Sequence, residues 1–404
     1  MSEDDTAKPD TGGFSRSVLA LADSVRAEAS AWDAAGAIPT EVIATMAADG
    51  LLAADLPRAH GGLGLGPHEL GELCAELGGV CTGLRSLVTV QGMVSAALLR
   101  WGTEEQRSAW LPALASGELI AAFAATEEGA GSDLSAVSAL VTRTSRGYAI
   151  RGRKLWVTFG SLAAVILVIG RWEGRMVALL VESDRPGVVV EPVHDALGLR
   201  AGHLAHMRFE DVRVPAAHLV ARPGFGLSHV AASAIDHGRH TVAWGCTGLA
   251  AACLDHTVAH VAQRAQGAVR LADHQAVRAV VGRASVSVSA ARELCRRAAD
   301  LRARGSAAAI PATVMAKYAA ADAAATVSQD AVRLHGATAC ESGSAVNRFL
   351  RDAQIMQIIE GSRDVAEVQL GDVALRTAAR GRPAPGSRRR AERAEDQVHG
   401  VGSR

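Results

Sequence analysis

Lysine is nearly missing from this chain: Lys8, Lys154 and Lys317 are the only ones, and arginine supplies the other basic side chains. Excess charge is missing too. Lys+Arg and Asp+Glu both count 42, for a formal charge of zero, which excludes the basic surface of a nucleic-acid binder. The six cysteines (Cys74, Cys81, Cys246, Cys253, Cys295 and Cys340) include no CxxC pair. They read as free thiols of a reducing compartment, with no metal site. The most apolar stretch, Leu162 to Gly170, is far short of the ~20 residues a bilayer span needs. The first residues, MSEDDTAKPDTGG, are acidic and polar, unlike a secretory signal. A cytoplasmic protein without a membrane partner is expected. What is present is a core: 404 residues at 49% hydrophobic and 21% charged suffice for two or three packed units.

The apolar period changes twice along the chain. From 14 to 119 it is helical, as in VLALADSVRAEASAW, with a Gly-rich break at His60 to Pro67. From 120 to 222 short β-rich runs follow, among them GYAIRGRKLWVTF, AAVILVIGRW and RMVALLVE, separated by turn signals. From 223 to 377 long Ala-rich helical stretches predict an antiparallel bundle. The Arg-, Pro- and Gly-rich segment 378–404 reads as a disordered tail. The fold class is therefore α+β: an N-terminal helical domain, a middle β-barrel or sheet domain, and a C-terminal four-helix bundle.

Three segments carry candidate chemistry. Phe123-Ala-Ala-Thr-Glu-Glu-Gly-Ala-Gly-Ser-Asp133 puts flexible backbone and the hydroxyls of Thr126 and Ser132 where a planar ligand can approach. Locally, a glycine turn between domains is the simpler account. In Lys154-Leu-Trp-Val-Thr158, strand alternation puts Trp156 and Thr158 on one face and Leu155 and Val157 on the core side. An aromatic wall beside a hydroxyl suits a flat heterocycle, although a packed Trp explains it as well. In Gln357-Ile-Ile-Glu-Gly-Ser362, Glu360 follows two isoleucines and precedes a glycine. Apolar surroundings raise a carboxyl toward neutrality, which suits a base for a carbon-bound proton. The alternative is an exposed glutamate at a helix end.

These segments, in this order across the three regions, resemble the acyl-CoA dehydrogenase superfamily. So do Gly102-Thr-Glu-Glu-Gln106, Trp110-Leu-Pro112, Gly198-Leu-Arg-Ala-Gly202, Phe209-Glu-Asp-Val-Arg-Val-Pro215 and Phe349-Leu-Arg-Asp352. The resemblance spans about Phe14 to Arg376. It implies FAD between the β domain and the bundle, met by Phe123, Ala125, Thr126, Ser132, Trp156 and Thr158. It also implies contacts from Arg264, Arg333, Gly336, Ser362 and Asp364, some of them from a neighbouring subunit. Glu360 matches the catalytic base, while Ser132, Asp236, Arg239 and Gly361 match positions around the thioester substrate. Some members place the base just before the arginine; that position here is Gly238. The implied partners are an acyl thioester on CoA or on an acyl carrier protein, an acceptor flavoprotein, and further copies in a homodimer or homotetramer.

The chain departs from the family pattern in places. Gln-x-x-Gly-Gly-x-Gly appears as Arg333-Leu-His-Gly-Ala-Thr-Ala339, so only Gly336 survives. Gln266 stands for phenylalanine, Ser362 for threonine and Asp364 for glutamine. SLVTVQGMVSAALLRWGTEEQ most resembles the dehydrogenases of polyketide extender-unit pathways, which implies a short acyl group tethered to a carrier protein. A short-chain dehydrogenase of free CoA thioesters is the second reading. An inactive scaffold without flavin is the third.

Overall fold

The computed structural model of the protein describes residues 11–381. Helices α1 (Thr11–Val25), α2 (Ala29–Ala35), α3 (Thr40–Ala48), α4 (Pro67–Val80), α5 (Thr82–Trp101) and α6 (Glu104–Ser116) come first. Strands follow: β1 (Ala121–Ala124), β2 (Leu140–Arg143), β3 (Gly147–Val157), β4 (Val165–Trp172), β5 (Arg175–Glu182), β6 (Val188–Pro192), β7 (Ala205–Pro215) and β8 (Leu219–Val220). The chain then returns to helix in α7 (Ala232–Gln263), α8 (Gln275–Ala303), α9 (Ala309–His335), α10 (Ala345–Met356) and α11 (Arg363–Gly381). The α+β class read from the sequence is the one observed. Of the expected tail, 378–381 continue α11; residues 382–404 lie outside the described residues.

The strands form one sheet in the order β6-β7-β3-β2-β4-β5-β8, with β1 added parallel to β4 in the register Ala121↔Val165. β4 and β5 are buried along most of their length, in continuous runs of Val, Leu and Ile. Such runs belong to a sheet covered on both faces. One face packs on α5, α6 and the start of the bundle; the other folds over its own strands around Tyr148, Phe209 and Val212.

A larger core unites the first helices with the bundle. Here α4 lies against α7 so closely that a Cβ on Gly71 would stand 2.3 Å from the Trp244 ring. Trp244 is fully buried, and an aromatic of that size contributes roughly 1.5–3 kcal/mol. Two of the matching motifs turn out to be ties between the layers. Thr103 and Gln106 form a capping box at the start of α6, and Gln106 Nε2 donates across to the Ala217 and Leu219 carbonyls at 2.6 and 3.0 Å. Asp352 on α10 accepts the Leu199 N–H at 2.7 Å, Arg351 pairs with Asp33, and Gly198 lies against the Arg351 carbonyl. The bundle, the sheet and the first helices thus hold one another in a fixed relation.

Candidate active site

Between α10 and α11 the chain reverses through two successive left-handed residues, Glu360 at φ +53° and Gly361 at φ +99°. For a residue with a Cβ this conformation costs about 1–2 kcal/mol. Two cations hold the turn. Arg239 Nε, from α7, donates to the Glu360 carbonyl at 2.9 Å, and Lys317 Nζ, from α9, donates to the Gly361 carbonyl at 2.7 Å. The Glu360 carboxyl rests over Gly238. A Cβ there would lie 2.8 Å from its Cδ, 2.9 Å from Oε2 and 3.0 Å from Met93 Sδ. Burial pushes the carboxyl up to about 7 against the opposing charges of Arg239, Lys317, Arg85 and His237. A carboxyl poised at neutrality can both take and release a proton there.

Asp236 and Arg239 lie three residues apart on α7 but serve different partners. Asp236 Oδ2 pairs with Arg302 of α8 at 2.7 Å, and Arg302 also donates to the Asp236 carbonyl at 2.8 Å. Asp236 Oδ1 is buried without a partner, an acceptor that suits an amide N–H of a substrate arm. The sequence reading missed Arg302, one arginine among many on an Arg-rich helix.

The glycine loop leaves the end of β1 and is pinned by a group the sequence reading overlooked. Glu127 accepts the Ser138 N–H (2.7 Å) and hydroxyl (2.6 Å), the Ala139 N–H (2.9 Å) and Lys154 Nζ (2.7 Å). Lys154 is fully buried and also donates to the Ala125 carbonyl at 3.0 Å. The available signal was a rare lysine inside an otherwise packed strand. The loop closes with reciprocal Glu127–Ala130 backbone bonds, and no atom lies within 4 Å of where a Cβ on Gly129 or Gly131 would sit. Thr126 is half-buried, Ser132 exposed, and Phe123 half-buried on the underlying core.

Trp156 requires a correction. The expected alternation places Trp156 and Thr158 on one strand face, but β3 slips register between Lys154 and Val157, and Trp156 has φ +56°. The bulge re-aims the indole, which is 54% exposed. Val157 is buried as expected, Leu155 is only half-buried, and Thr158 lies past the strand's end in a turn. The Leu155 N–H bonds the Thr126 carbonyl at 2.9 Å, so β3 runs beside the open glycine loop, while the Trp156 indole meets the His206 ring edge-on at 5.1 Å. An exposed aromatic face beside unobstructed backbone fits a planar cofactor such as FAD.

Arg264, Arg333 and Gly336 gather elsewhere. Arg264 caps the far end of α7 and Gly336 ends α9, where the His260 and His335 rings stack at 4.0 Å. Along α7, Gly238 and Arg264 are separated by about 39 Å at 1.5 Å per residue. Both arginines are exposed, Arg333 beside Asp330. One chain therefore does not bring this trio to Glu360. Ser362 and Asp364, by contrast, follow Glu360 directly at the start of α11; the Ser362 carbonyl accepts the Ala366 N–H at 3.0 Å.

Fold and site together define a class, the flavin-dependent oxidoreductases that act on CH–CH donors. Family models for the acyl-CoA dehydrogenase N-terminal, middle and C-terminal domains match residues 14–118, 122–212 and 226–376 in order. The chain belongs to the acyl-CoA dehydrogenase family, whose members depend on FAD. The acryloyl-CoA reductase (NADH) of Anaerotignum propionicum is 30% identical over 340 residues, 82% of this chain and 85% of that one. The human mitochondrial short-chain specific acyl-CoA dehydrogenase is 28% identical over 345 residues, 84% and 83% of the two chains. Among solved structures, FkbI, for biosynthesis of the methoxymalonyl extender unit of the polyketide Fk520, has a TM-score of 0.83 and 37% identity, covering 89% of this chain and 99% of its own. No helix among the described residues is long and apolar enough to cross a membrane.

Proposed function

We propose that this protein oxidises a short acyl thioester carried on an acyl carrier protein, as a dehydrogenase of polyketide extender-unit assembly. The observation that carries the chemistry is the Glu360 carboxyl, poised at about 7 over Gly238 with its own turn fixed by Arg239 and Lys317. Ionised Glu360 takes the α-proton of the thioester. The Glu360 N–H belongs to the held turn and is a donor for the thioester carbonyl, which makes that proton more acidic. FAD, when bound, would supply the acceptor for the hydride that leaves the β-carbon. Trp156 would wall the ring, and Phe123, Ala125, Thr126, Ser132 and Thr158 would line its loop side. Asp236 receives the pantetheine arm through its free Oδ1, and Gly361 and Ser132 are assigned as further substrate contacts.

The carrier-protein reading is supported by the 37% identity to FkbI over nearly that whole chain. Arg264, Arg333 and Gly336 sit about one α7 length from the base and make sense as cofactor contacts to a second copy, so we assign a homo-oligomer. An acceptor flavoprotein completes the cycle by taking the electrons. The test is anaerobic titration of the yellow protein with the same short acyl group on a carrier protein and on CoA. Faster bleaching by the carrier-bound form supports the reading; equal or faster bleaching by CoA esters makes it a short-chain acyl-CoA dehydrogenase. Glu360→Gln should retain flavin but lose bleaching by either form, and normal bleaching in that variant removes Glu360 as the base.

A further inference from the structure

Every turnover leaves one proton on Glu360. The α C–H bond breaks and an O–H bond forms on the carboxylate, while the β-hydrogen departs with its electron pair for the flavin. Before the next turnover that O–H must give up its proton. A thioester bound against the base covers the side from which the proton came. The three cations that face the carboxyl, Arg239, Lys317 and Arg85, have no lone pair with which to receive it. The remaining group whose charge Glu360 feels is His237.

His237 precedes Gly238 on α7 and is 8% exposed. Its Nε2 pairs with Asp55 Oδ2 at 3.0 Å, across 182 residues of sequence. Its Nδ1 is buried and has no partner among the described residues. Here α5 and α7 meet in register. A Cβ on Gly92 would stand 2.1 Å from His237 Cε1 and 3.0 Å from Nδ1, and the next residue, Met93, lies with Glu360 over Gly238. Glycine thus clears room for the imidazole on α5 and for the carboxyl on α7, in adjacent layers. His240, the other histidine near Asp55, is engaged by the Pro67 carbonyl at 2.9 Å. A neutral imidazole has one N–H and one lone pair. With Asp55 taking the Nε2–H, the lone pair is on Nδ1, an orphan acceptor of the kind that buried sites rarely leave unused. On the far side, Asp55 keeps 27% of its side chain exposed, against 9% for His237. Contact with water rises outward along the pair.

We propose that His237 and Asp55 form the proton exit of the base. The O–H bond of Glu360 breaks as an N–H bond forms at His237 Nδ1. The Nε2 proton passes to Asp55 and from there to solvent, and reorientation of the ring restores the acceptor. The inference rests on the thioester reading above and adds the route by which the base is reset. His237 is assigned no contact with substrate or flavin; it is a relay.

The test is stopped-flow mixing of the flavin-loaded protein with butyryl-CoA or butyryl-carrier protein, whichever bleaches it faster. The pH is held by weak buffer just above the value of about 7 at which the carboxyl ionises. Bleaching is followed in the visible flavin bands, and proton release with an indicator dye in the same mixture. In the wild type the proton should appear together with the bleaching. In His237→Asn it should trail bleaching by about 100-fold, the scale of a lost proton-transfer group, and added imidazole should close the gap. Asp55→Asn, which keeps the shape of the pair but not its basic oxygen, should trail as well. A merely structural role would slow bleaching and proton release together. Proton release in step with bleaching in a folded, yellow His237→Asn protein overturns the exit, as does a lag that imidazole leaves unchanged. If no thioester bleaches the wild type, the thioester reading fails; if bleaching proceeds and neither variant lags, only the exit fails.

Discussion

Gly238→Ala isolates the base from everything else in the protein. The new Cβ would stand 2.8 Å from Glu360 Cδ and 2.9 Å from Oε2. Carbon atoms in contact normally sit about 3.5–4.0 Å apart, so the carboxyl must withdraw by about 1 Å. A displacement of that size at a reacting group can lower the rate by about 100-fold. Stability should move in the opposite sense or not at all. Gly238 is inside α7, where alanine is favoured over glycine by roughly 0.5–1 kcal/mol. The atoms that must give way, in Glu360 and Met93, are the ends of flexible side chains. The assay is anaerobic stopped-flow bleaching of the flavin by a short acyl thioester, with flavin content and Tm measured on the same preparation. The expected variant is yellow, melts within a few degrees of wild type and bleaches about 100-fold more slowly. A folded variant that bleaches within threefold of wild type would refute the placement of the Glu360 carboxyl over Gly238.

The bleaching rate should rise about tenfold per pH unit up to about 7 and then level off, because the base acts ionised and its carboxyl is raised to about 7; a flat profile from pH 5.5 to 8.5 rules Glu360 out as the titrating base. Lys154→Met leaves Glu127 buried with its hydrogen bonds from Ser138 and Ala139 but no counter-charge. Chemical denaturation should show a loss of about 3 kcal/mol, with earlier flavin release on heating, and a loss under 0.5 kcal/mol would mean that the pair does not pin the loop. Trp156→Ala removes a half-exposed indole that supports no core, so Tm of the flavin-free protein should hold while flavin content after gel filtration falls; unchanged flavin content takes Trp156 out of the site.

Much of the architecture is local information. The 3.6-residue period of the first and last regions and the short β-rich runs between them are set by which side chains need burial, so the α+β order is readable without any contact. For Glu360 the neighbouring isoleucines predict an apolar turn, but Ile358 is 64% exposed, and the carboxyl is instead buried where the turn lays it over Gly238 beside Met93. What alternation could not supply was the orientation of Trp156. A bulge depends on how β3 pairs with β7, and pairing is a property of two strands.

The partners of charged groups were decided only in three dimensions. Lys154 and Glu127 are 27 residues apart, Arg239 and Glu360 are 121 apart, and Lys317 and Gly361 are 44 apart. Even the two rare lysines, Lys154 and Lys317, carry nothing in the sequence that names their partners. Gly238 is likewise only a missing side chain until the turn after α10 lays a carboxyl over it. Arg85 shows the same limit most clearly. Its position in an apolar helix predicts burial, but its partners among the described residues, Thr89 Oγ1 and Met356 Sδ, follow from the packing of α5, α7 and α10 together. Sequence by itself sets which segments must be hidden from water; the tertiary structure sets which charges are hidden with them and what each is left to bind.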